Sequence, residues 1–221
     1  MPNSLVNPAV RTVLDRLFAA AHEGDDDGLA EIAAAHGARL ATITPAERSE
    51  LFGSLYIPVS PETGKLLYSI IRSSRPQTVV EFGTSFGIGT IYLAAAVRDN
   101  GTGRVITTEL NLAKAEQARA NLVEAGVADV VEIVTGDALQ TLAVLEQPIG
   151  FALLDGWKEL YLDMLKVIEP RLVPGAIVAA DDTESFAAVL GEYLGYVRDE
   201  ANGYVSVAFP HDDGVELSCR A

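Results

Sequence analysis

Short apolar runs alternate with helical patterns from Thr78 onward, and this alternation constrains the fold more than any other feature of the chain. The runs are continuously apolar, as expected for strands of a parallel sheet that is covered on both faces. A series of this kind implies right-handed crossovers and an α/β, doubly wound sheet. We predict strands over residues 78–82, 104–110, 130–135, 151–154 and 176–180, with helices over 88–97, 112–124, 138–145 and 159–168.

The end of the chain departs from this alternation. After a predicted helix over residues 185–194, two runs of strand composition follow at 204–209 and 215–219. They are joined by Pro210-His211-Asp212-Asp213-Gly214, and an Asp-Gly step in a short link is a hairpin signal. We therefore predict a Rossmann-like, seven-stranded sheet that finishes in an antiparallel hairpin, an ending that is unusual for a dinucleotide-binding dehydrogenase.

Helical patterns fill the first 75 residues. Helices are predicted over residues 10–21 and 29–37, and from Thr44 and Ser60 onward. In the last two, proline follows the N-cap residue, and Glu47 completes a capping box with Thr44. The acidic run 23–28 is predicted to break the first helix and to form a solvated loop rather than a cation site. We therefore predict a helical extension over residues 1–75 and a second domain over residues 76–221.

Net charge separates the classes of partner. The chain has 16 Lys and Arg against 31 Asp and Glu, a formal net charge of −15, and no basic run. Since nucleic-acid binding depends on clustered basic side chains, this balance disfavours a nucleic-acid partner and favours a small neutral or cationic substrate. The start of the chain lacks a signal-peptide pattern, and no apolar stretch is long enough to span a bilayer. We expect a cytoplasmic protein without a membrane partner, and the single Cys219 cannot form a disulfide within the chain.

Carboxylates and glycines gather at the predicted strand ends, where ligands of open α/β sheets bind. The first strand leads into Glu81-Phe82-Gly83-Thr84-Ser85-Phe86-Gly87, a tight turn that lets a ligand approach the backbone. Glu109 ends the second strand, where a carboxylate can accept both ribose hydroxyls of an adenosine-containing cofactor. Glu81 would repel a pyrophosphate but can pair with the ammonium of a methionine moiety. The predicted cofactor contacts here are Glu81, Gly83, Ser85, Gly87, Glu109, Leu110, Asp137 and Ala138.

Three aspartates end the fourth and fifth predicted strands. Asp155 follows the fourth strand, and Asp181 and Asp182 follow the fifth, its neighbour in this topology. Hard oxygen ligands of this kind suit Mg²⁺. The sequence therefore predicts a magnesium site, with the alternative that Asp155 and Asp181 are N-caps of the helices that follow.

The segment around these aspartates resembles one family. Asp155-Gly156-Trp157-Lys158-Glu159-Leu160-Tyr161, the run from Glu169 to Gly175, and Ala180-Asp181-Asp182 are similar to the catechol and caffeoyl-CoA O-methyltransferases. The similarity extends from about Tyr56 to the end of the chain, and the terminal hairpin suits the methyltransferase variant of the fold. The resemblance implies S-adenosylmethionine as cofactor, with Asp155 and Trp157 beside it and Trp157 near its adenine. It also implies Mg²⁺ at Asp155, Asp181 and Asp182, and Lys158 as general base.

Two features depart from the family pattern. Asp182 stands where the family has asparagine, which adds negative charge to the metal site. The link between Asp182 and the terminal hairpin lacks a longer substrate-recognition segment. The first departure leaves the choice of metal open, and the second leaves the acceptor open.

These residues together predict the O-methylation of a small hydroxylated molecule. A vicinal diol such as a catechol would chelate Mg²⁺, which lowers the hydroxyl pKa. Lys158, its own pKa depressed by the cation, would then accept the proton. The alternatives are a metal-independent methyltransferase acting on a small molecule or a tRNA base, an NAD-dependent oxidoreductase, and a non-catalytic binding module. The N-terminal helices either cap the substrate pocket or form the contact of a homodimer.

Overall fold

A seven-stranded sheet with the order β3-β2-β1-β4-β5-β7-β6 forms the centre of the protein, as a computed structural model describes it over residues 3–221. β1 to β5 are parallel, and β7 pairs antiparallel with both β5 and β6. The predicted doubly wound sheet with a terminal hairpin is therefore confirmed. The strands are β1 Thr78–Phe82, β2 Arg104–Glu109, β3 Val131–Thr135, β4 Ile149–Leu154, β5 Leu172–Asp181, β6 Tyr204–Phe209 and β7 Val215–Arg220.

The part of the chain that the structure describes also contains eight α-helices. The helices are α1 Pro8–His36, α2 Pro45–Leu51, α3 Pro61–Ser74, α4 Ile88–Asn100, α5 Leu112–Glu124, α6 Ala138–Thr141, α7 Tyr161–Ile168 and α8 Gly191–Arg198. α2 begins with the predicted capping box between Thr44 and Glu47, and Ser60 caps α3. Met1 and Pro2 of the predicted helical extension lie outside the described residues.

The predicted break at residues 23–28 is wrong, because α1 continues through this acidic run. Asp25 is buried there and accepts hydrogen bonds from the backbone amides of Tyr56, at 2.8 Å, and Ile57, at 2.7 Å. Gly28 stays in the helix for a packing reason, since a Cβ atom at this position would lie 2.4 Å from the Leu55 side chain. Tertiary contacts thus outweigh the low helix propensity of glycine and aspartate.

The predicted helix over residues 185–194 is also misplaced, since α8 begins only at Gly191. The backbone amides of Thr183 and Glu184 donate to the carbonyls of Gly214 and Asp213 in the β6–β7 link, at 2.9 and 2.8 Å. These bonds keep the segment after β5 in turns. The predicted helix over 138–145 shortens to α6 for its first four residues.

Alternate residues of the central strands face opposite layers of helix. Val79 and Leu153 belong to a core shared with α1, α3 and α4. Val80 and Leu154 belong to a second core, shared with α7 and α8. The N-terminal helices therefore pack on the same sheet as the rest of the chain. In the described part of the chain, no helix combines the length and apolarity needed to cross a bilayer.

Candidate active site

Strand register brings the predicted site residues to one edge of the sheet. Phe82 at the end of β1 pairs with Thr108 of β2 on one side and with Leu154 of β4 on the other. Glu109 and Asp155 each follow those partners directly. Neighbouring strands lie roughly 4.8 Å apart, so the backbones of Glu109 and Asp155 are about 10 Å apart on the same edge. Leu154 pairs in turn with Ala180, which brings Asp181 to this edge too.

The glycine turn after β1 has the backbone conformation that its sequence predicts. Gly83 and Gly87 have φ values of 106° and 91°, in the region that only glycine adopts freely. A Cβ atom on Gly83 would lie 2.4 Å from the carbonyl oxygen of Asp155, so glycine lets the ends of β1 and β4 meet. Ser85, in the middle of the turn, also has a positive φ of 48°.

Glu81 presents an acceptor atom inside this turn. The side chain is fully buried, and its Oε2 accepts hydrogen bonds from the hydroxyls of Thr90 and Thr107. Its Oε1 has no hydrogen-bond partner among residues 3–221. Burial raises the pKa of Glu81 to about 7, despite the two hydroxyls. Because a buried, unpartnered carboxylate oxygen is costly, the arrangement fits a cationic group such as an ammonium.

Glu109 is held by backbone amides at the end of β2. Its Oε2 accepts from the amide of Ser85 at 2.7 Å, and its Oε1 accepts from the amide of Asn111 at 2.8 Å. Carboxylate oxygens keep further lone pairs, so this geometry still fits the pair of ribose hydroxyls. Leu110, beside Glu109, is half-buried.

Asp137 occupies the end of β3 in a different way. It is exposed, and its side chain caps α6 by accepting from the amide of Leu139 at 3.0 Å. Ala138, the next residue, is buried in the core that faces α7 and α8. The two residues lie at the same edge as Glu109, since Thr135 pairs with Glu109.

Asp155, Asp181 and Asp182 form one cluster, as predicted. Each offers a carboxylate oxygen, and these oxygens all lie within 4.8 Å of one another. Burial raises the pKa of Asp155 well above its ordinary value and that of Asp181 to about 7, and the neighbouring aspartates add to both shifts. A divalent cation would relieve this repulsion. The alternative role as N-caps is not seen in the described chain, since α7 and α8 follow Leu160 and Leu190, neither of which makes a side-chain cap.

Asp182 has a left-handed backbone, with a φ of 63°. Aspartate and asparagine are the non-glycine residues that adopt this conformation most readily. This backbone conformation explains why either aspartate or asparagine suits position 182.

Lys158 places its ammonium among the aspartates. Its Nζ lies 2.7 Å from Asp182 Oδ2, 3.5 Å from Asp155 Oδ1 and 2.9 Å from the hydroxyl of Tyr161. Burial alone would lower the pKa of Lys158, but Tyr161 and the two carboxylates outweigh it and raise that pKa well above the ordinary value. A depressed pKa of Lys158 would therefore require a bound cation, because the protein side chains by themselves raise this pKa.

Trp157 packs against the N-terminal segment. Its ring meets Phe52 edge-on, with ring centroids 5.5 Å apart, and the Arg48 guanidinium lies 5.0 Å from the ring centroid. The expected contact with adenine stays a prediction. Of the two roles considered for the N-terminal helices, this contact favours covering the site.

Two polar residues of the site are missed by sequence reasoning. Lys114 is buried, and its Nζ donates to the carbonyl of Leu55 at 2.7 Å and to the hydroxyl of Ser85 at 3.3 Å. A lysine in the first turn of a helix carries no sequence signal of such burial. Tyr161 lies inside the family-like segment, yet only the folded chain shows its hydroxyl against Lys158.

A cavity of about 290 Å³ adjoins the aspartate cluster. Asp181 and Asp182 form one wall, and Asp212 and Asp213 of the β6–β7 link form another. The remaining walls come from α1 and from the segment that leads into α3, and they include Phe18, His22, Val59 and Pro61. The cavity has room for a small molecule beside Asp181 and Asp182, the latter of which is paired with Lys158.

Comparison with known proteins agrees with this geometry. A family model described as a methyltransferase domain matches residues 80–183. A catechol O-methyltransferase from Mycobacterium tuberculosis is 36% identical over 137 residues, which cover 62% of this chain and 61% of that protein. The chain is thus similar to a methyltransferase domain over residues 80–183 and to a catechol O-methyltransferase over 137 residues. The matched domain contains Glu81, Asp155, Lys158 and both aspartates after β5.

Two solved structures are similar to this chain over most of its length. Cofactor-bound Rv0187 from MTB has a TM-score of 0.70 and 29% identity, covering 80% of this chain and 90% of that one. The O-methyltransferase TomG from Streptomyces achromogenes, involved in tomaymycin synthesis and in complex with SAM, has a TM-score of 0.70 and 25% identity, covering 80% and 87%. The chain spans about three fifths of the curated catechol O-methyltransferase, 61% of its length. The likeness to a methyltransferase domain and to a SAM-bound methyltransferase disfavours the alternative of an NAD-dependent oxidoreductase.

Proposed function

We propose that this protein is an S-adenosylmethionine-dependent O-methyltransferase acting on a hydroxyl of a small molecule. The observation that carries the proposal is the meeting of Lys158 Nζ with Asp155 and Asp182, beside a cavity and at the same edge as the glycine turn. Proton removal and cofactor binding are thereby assigned to adjacent parts of one site. The SAM complex of TomG supports the choice of cofactor.

Glu81 and Glu109 would hold the two polar ends of S-adenosylmethionine. The unpartnered Oε1 of Glu81 supports pairing with the ammonium of its methionine part. Glu109, fixed by two backbone amides, supports binding of its ribose hydroxyls. The cofactor supplies an electrophilic methyl group on a cationic sulfur, which an acidic edge of the sheet favours electrostatically.

Asp155, Asp181 and Asp182 would hold Mg²⁺. Their oxygens are of the hard type that magnesium prefers, and they are close enough together to share one ion. The ion supplies Lewis acidity that lowers the pKa of an acceptor hydroxyl. It would also neutralise carboxylates that now raise the pKa of Lys158, which favours the neutral amine that a base requires.

Lys158 is the proposed general base. In its neutral form the amine takes the proton of the acceptor hydroxyl, and Tyr161 and Asp182 keep its Nζ in place. The acceptor oxygen forms its new bond to the methyl carbon while the electrons of the carbon–sulfur bond pass to sulfur. The resulting ammonium is stabilised by the surrounding carboxylates. Positioning of the acceptor and S-adenosylmethionine at this edge of the sheet supplies most of the acceleration.

The acceptor is proposed to be small and neutral or cationic, with two adjacent hydroxyls as the first class to test. The cavity volume of about 290 Å³ suits a single substituted ring better than a large conjugate. Apolar side chains such as Phe18 and Val59 would pack against the ring, and five aspartates in the walls disfavour an anionic group.

Replacement of Lys158 by alanine tests the assignment of the base. A methyl-transfer screen over catechols and other diols, with and without Mg²⁺, first identifies an acceptor. We expect Lys158→Ala to lower kcat by roughly 10²–10⁴-fold. Binding of S-adenosylhomocysteine, measured by calorimetry, should stay unchanged. Lys166→Ala on the outer face of α7 is the matched control and should keep full activity.

Three outcomes would contradict parts of the proposal. Full turnover by Lys158→Ala would contradict the assignment of Lys158 as general base. Full activity after dialysis against a chelator would contradict the need for a metal and would favour a metal-independent methyltransferase. Binding of NADH in place of S-adenosylhomocysteine would contradict the choice of cofactor.

A further inference from the structure

α2 lies across the edge of the sheet that carries the site, between the ends of β2 and β4. On the β2 side, the side-chain amide of Asn111 donates to the carbonyl of Ser49 at 3.2 Å. On the β4 side, Arg48 and Phe52 contact the indole ring of Trp157. Arg48 and Phe52 are four residues apart, which brings them to one face of this helical turn.

Arg48 makes three contacts that leave its own helix. Its guanidinium forms an ion pair with Glu159, lies 5.0 Å from the centroid of the Trp157 ring, and donates to the carbonyl of Leu40 at 3.1 Å. Only 16% of its side chain is exposed. Trp157 and Glu159 are the residues on either side of Lys158. One arginine therefore holds both neighbours of the proposed base.

We propose that Arg48 is a positioning residue, which keeps Lys158 Nζ among Asp155 and Asp182 by fixing the residues before and after it. This inference rests on the proposed function, because it concerns the placement of the base. The fold of α2 itself has separate support from the capping box between Thr44 and Glu47. Two of the contacts of Arg48, those with Trp157 and Glu159, are instead directed at the segment that follows β4.

The contacts of Arg48 with Trp157 and Glu159 should contribute unequally to the positioning of Lys158. A guanidinium over an indole face gains from cation–π attraction, most strongly where water is excluded. The ion pair contributes less, since 41% of the Glu159 side chain is exposed. The Trp157 contact should therefore dominate, and a lysine at position 48 should keep part of it.

Fluorescence gives a readout of this contact that does not depend on turnover, because Trp157 is the single tryptophan of the chain. We expect Arg48→Met to shift its emission to longer wavelength and to increase quenching by acrylamide. With an acceptor from the diol screen, kcat should fall roughly tenfold or more, since small displacements of a catalytic group are costly. Affinity for S-adenosylhomocysteine should change less than kcat, because the contacts predicted at Glu81 and Glu109 do not involve Arg48. Arg48→Lys should recover part of both signals, and Arg39→Met, an exposed arginine of the same segment, should alter neither.

The outcomes separate the inference from the function on which it rests. Wild-type protein without methyl transfer to any diol contradicts the proposed function. Active wild-type protein with an Arg48→Met variant of unchanged kcat and unchanged fluorescence overturns the positioning role. A variant with a lower melting temperature but an unchanged kcat at a temperature where it is folded also overturns it, because Arg48 would then only stabilise the fold.

Discussion

Glu81 shows how one buried carboxylate can make cofactor binding depend on pH. Its pKa of about 7 lies above the ordinary value of 4.5 because burial disfavours the charged form. An ammonium partner prefers that charged form. Affinity for S-adenosylhomocysteine should therefore be low at acidic pH, rise as Glu81 ionises, and level off above about pH 7. In the rising part, a single ionisation limits the change to about tenfold per pH unit.

Glu81→Gln is the control for this pH dependence. The glutamine keeps the shape of the side chain but does not ionise in this range, so its affinity should be weaker at pH 8 and flat between pH 5.5 and 8. Calorimetric titration with S-adenosylhomocysteine at several pH values measures both curves. A glutamine variant that keeps the wild-type pH profile would show that another group is titrating.

Single residues also show where sequence reasoning reaches the site and where it stops. Asp155 and Asp181 are predictable, because strand ends of a parallel sheet meet at one edge and the chain places carboxylates there. Lys158 enters only through the resemblance to the O-methyltransferases. Lys114 and Arg48 are not predictable, since burial of a lysine or arginine on a short helix depends on which element covers it. The residues near Lys114 and Arg48 in the sequence do not indicate which element will cover them.

At the scale of elements, β1, β2, β3 and α5 are predicted well because their apolar patterns are local. β5 begins at Leu172, earlier than the predicted 176–180. α1 is not predicted well, because two distant contacts decide its continuity. The Asp25 carboxylate accepts from the amides of Tyr56 and Ile57, and Gly28 makes room for Leu55. α8 begins later than predicted for a similar reason, since the segment before it bonds to the β6–β7 link. Boundaries set by tertiary contacts are those that periodicity misses.

Asp25 should accordingly stabilise the N-terminal segment far more than its acidic neighbours do. Asp25→Ala leaves two backbone amides without their acceptor and removes the support for Ile57, whose φ of 43° is strained for a β-branched residue. We expect a loss of about 1–3 kcal/mol in the free energy of unfolding. Urea denaturation of this variant beside Asp26→Ala, an exposed residue of the same run, measures the difference. Equal stability of the two variants would contradict the buried role.

The whole molecule carries a net charge of −15, and aspartates line much of the proposed acceptor cavity. Asp181, Asp182, Asp212 and Asp213 all line that cavity. Asp181 and Asp182 are assigned to the metal, which would balance much of their charge. Asp212 and Asp213 lie on the β6–β7 link, outside the proposed ion site. They are exposed, so their influence should be screened by salt.

The kcat/KM of an acceptor should therefore depend on its charge, and Asp213 should contribute to this dependence. We compare two catechols whose side chains end in an ammonium or in a carboxylate. At low salt, kcat/KM for the cationic catechol should be roughly tenfold above that for the anionic one. Asp213→Asn should lower this ratio without lowering kcat for an uncharged catechol, and added salt should lower the ratio for the wild-type protein. Steady-state kinetics with the three catechols measures each effect. Equal kcat/KM for the cationic and anionic catechols at low salt would mean that the acidic walls do not select the acceptor.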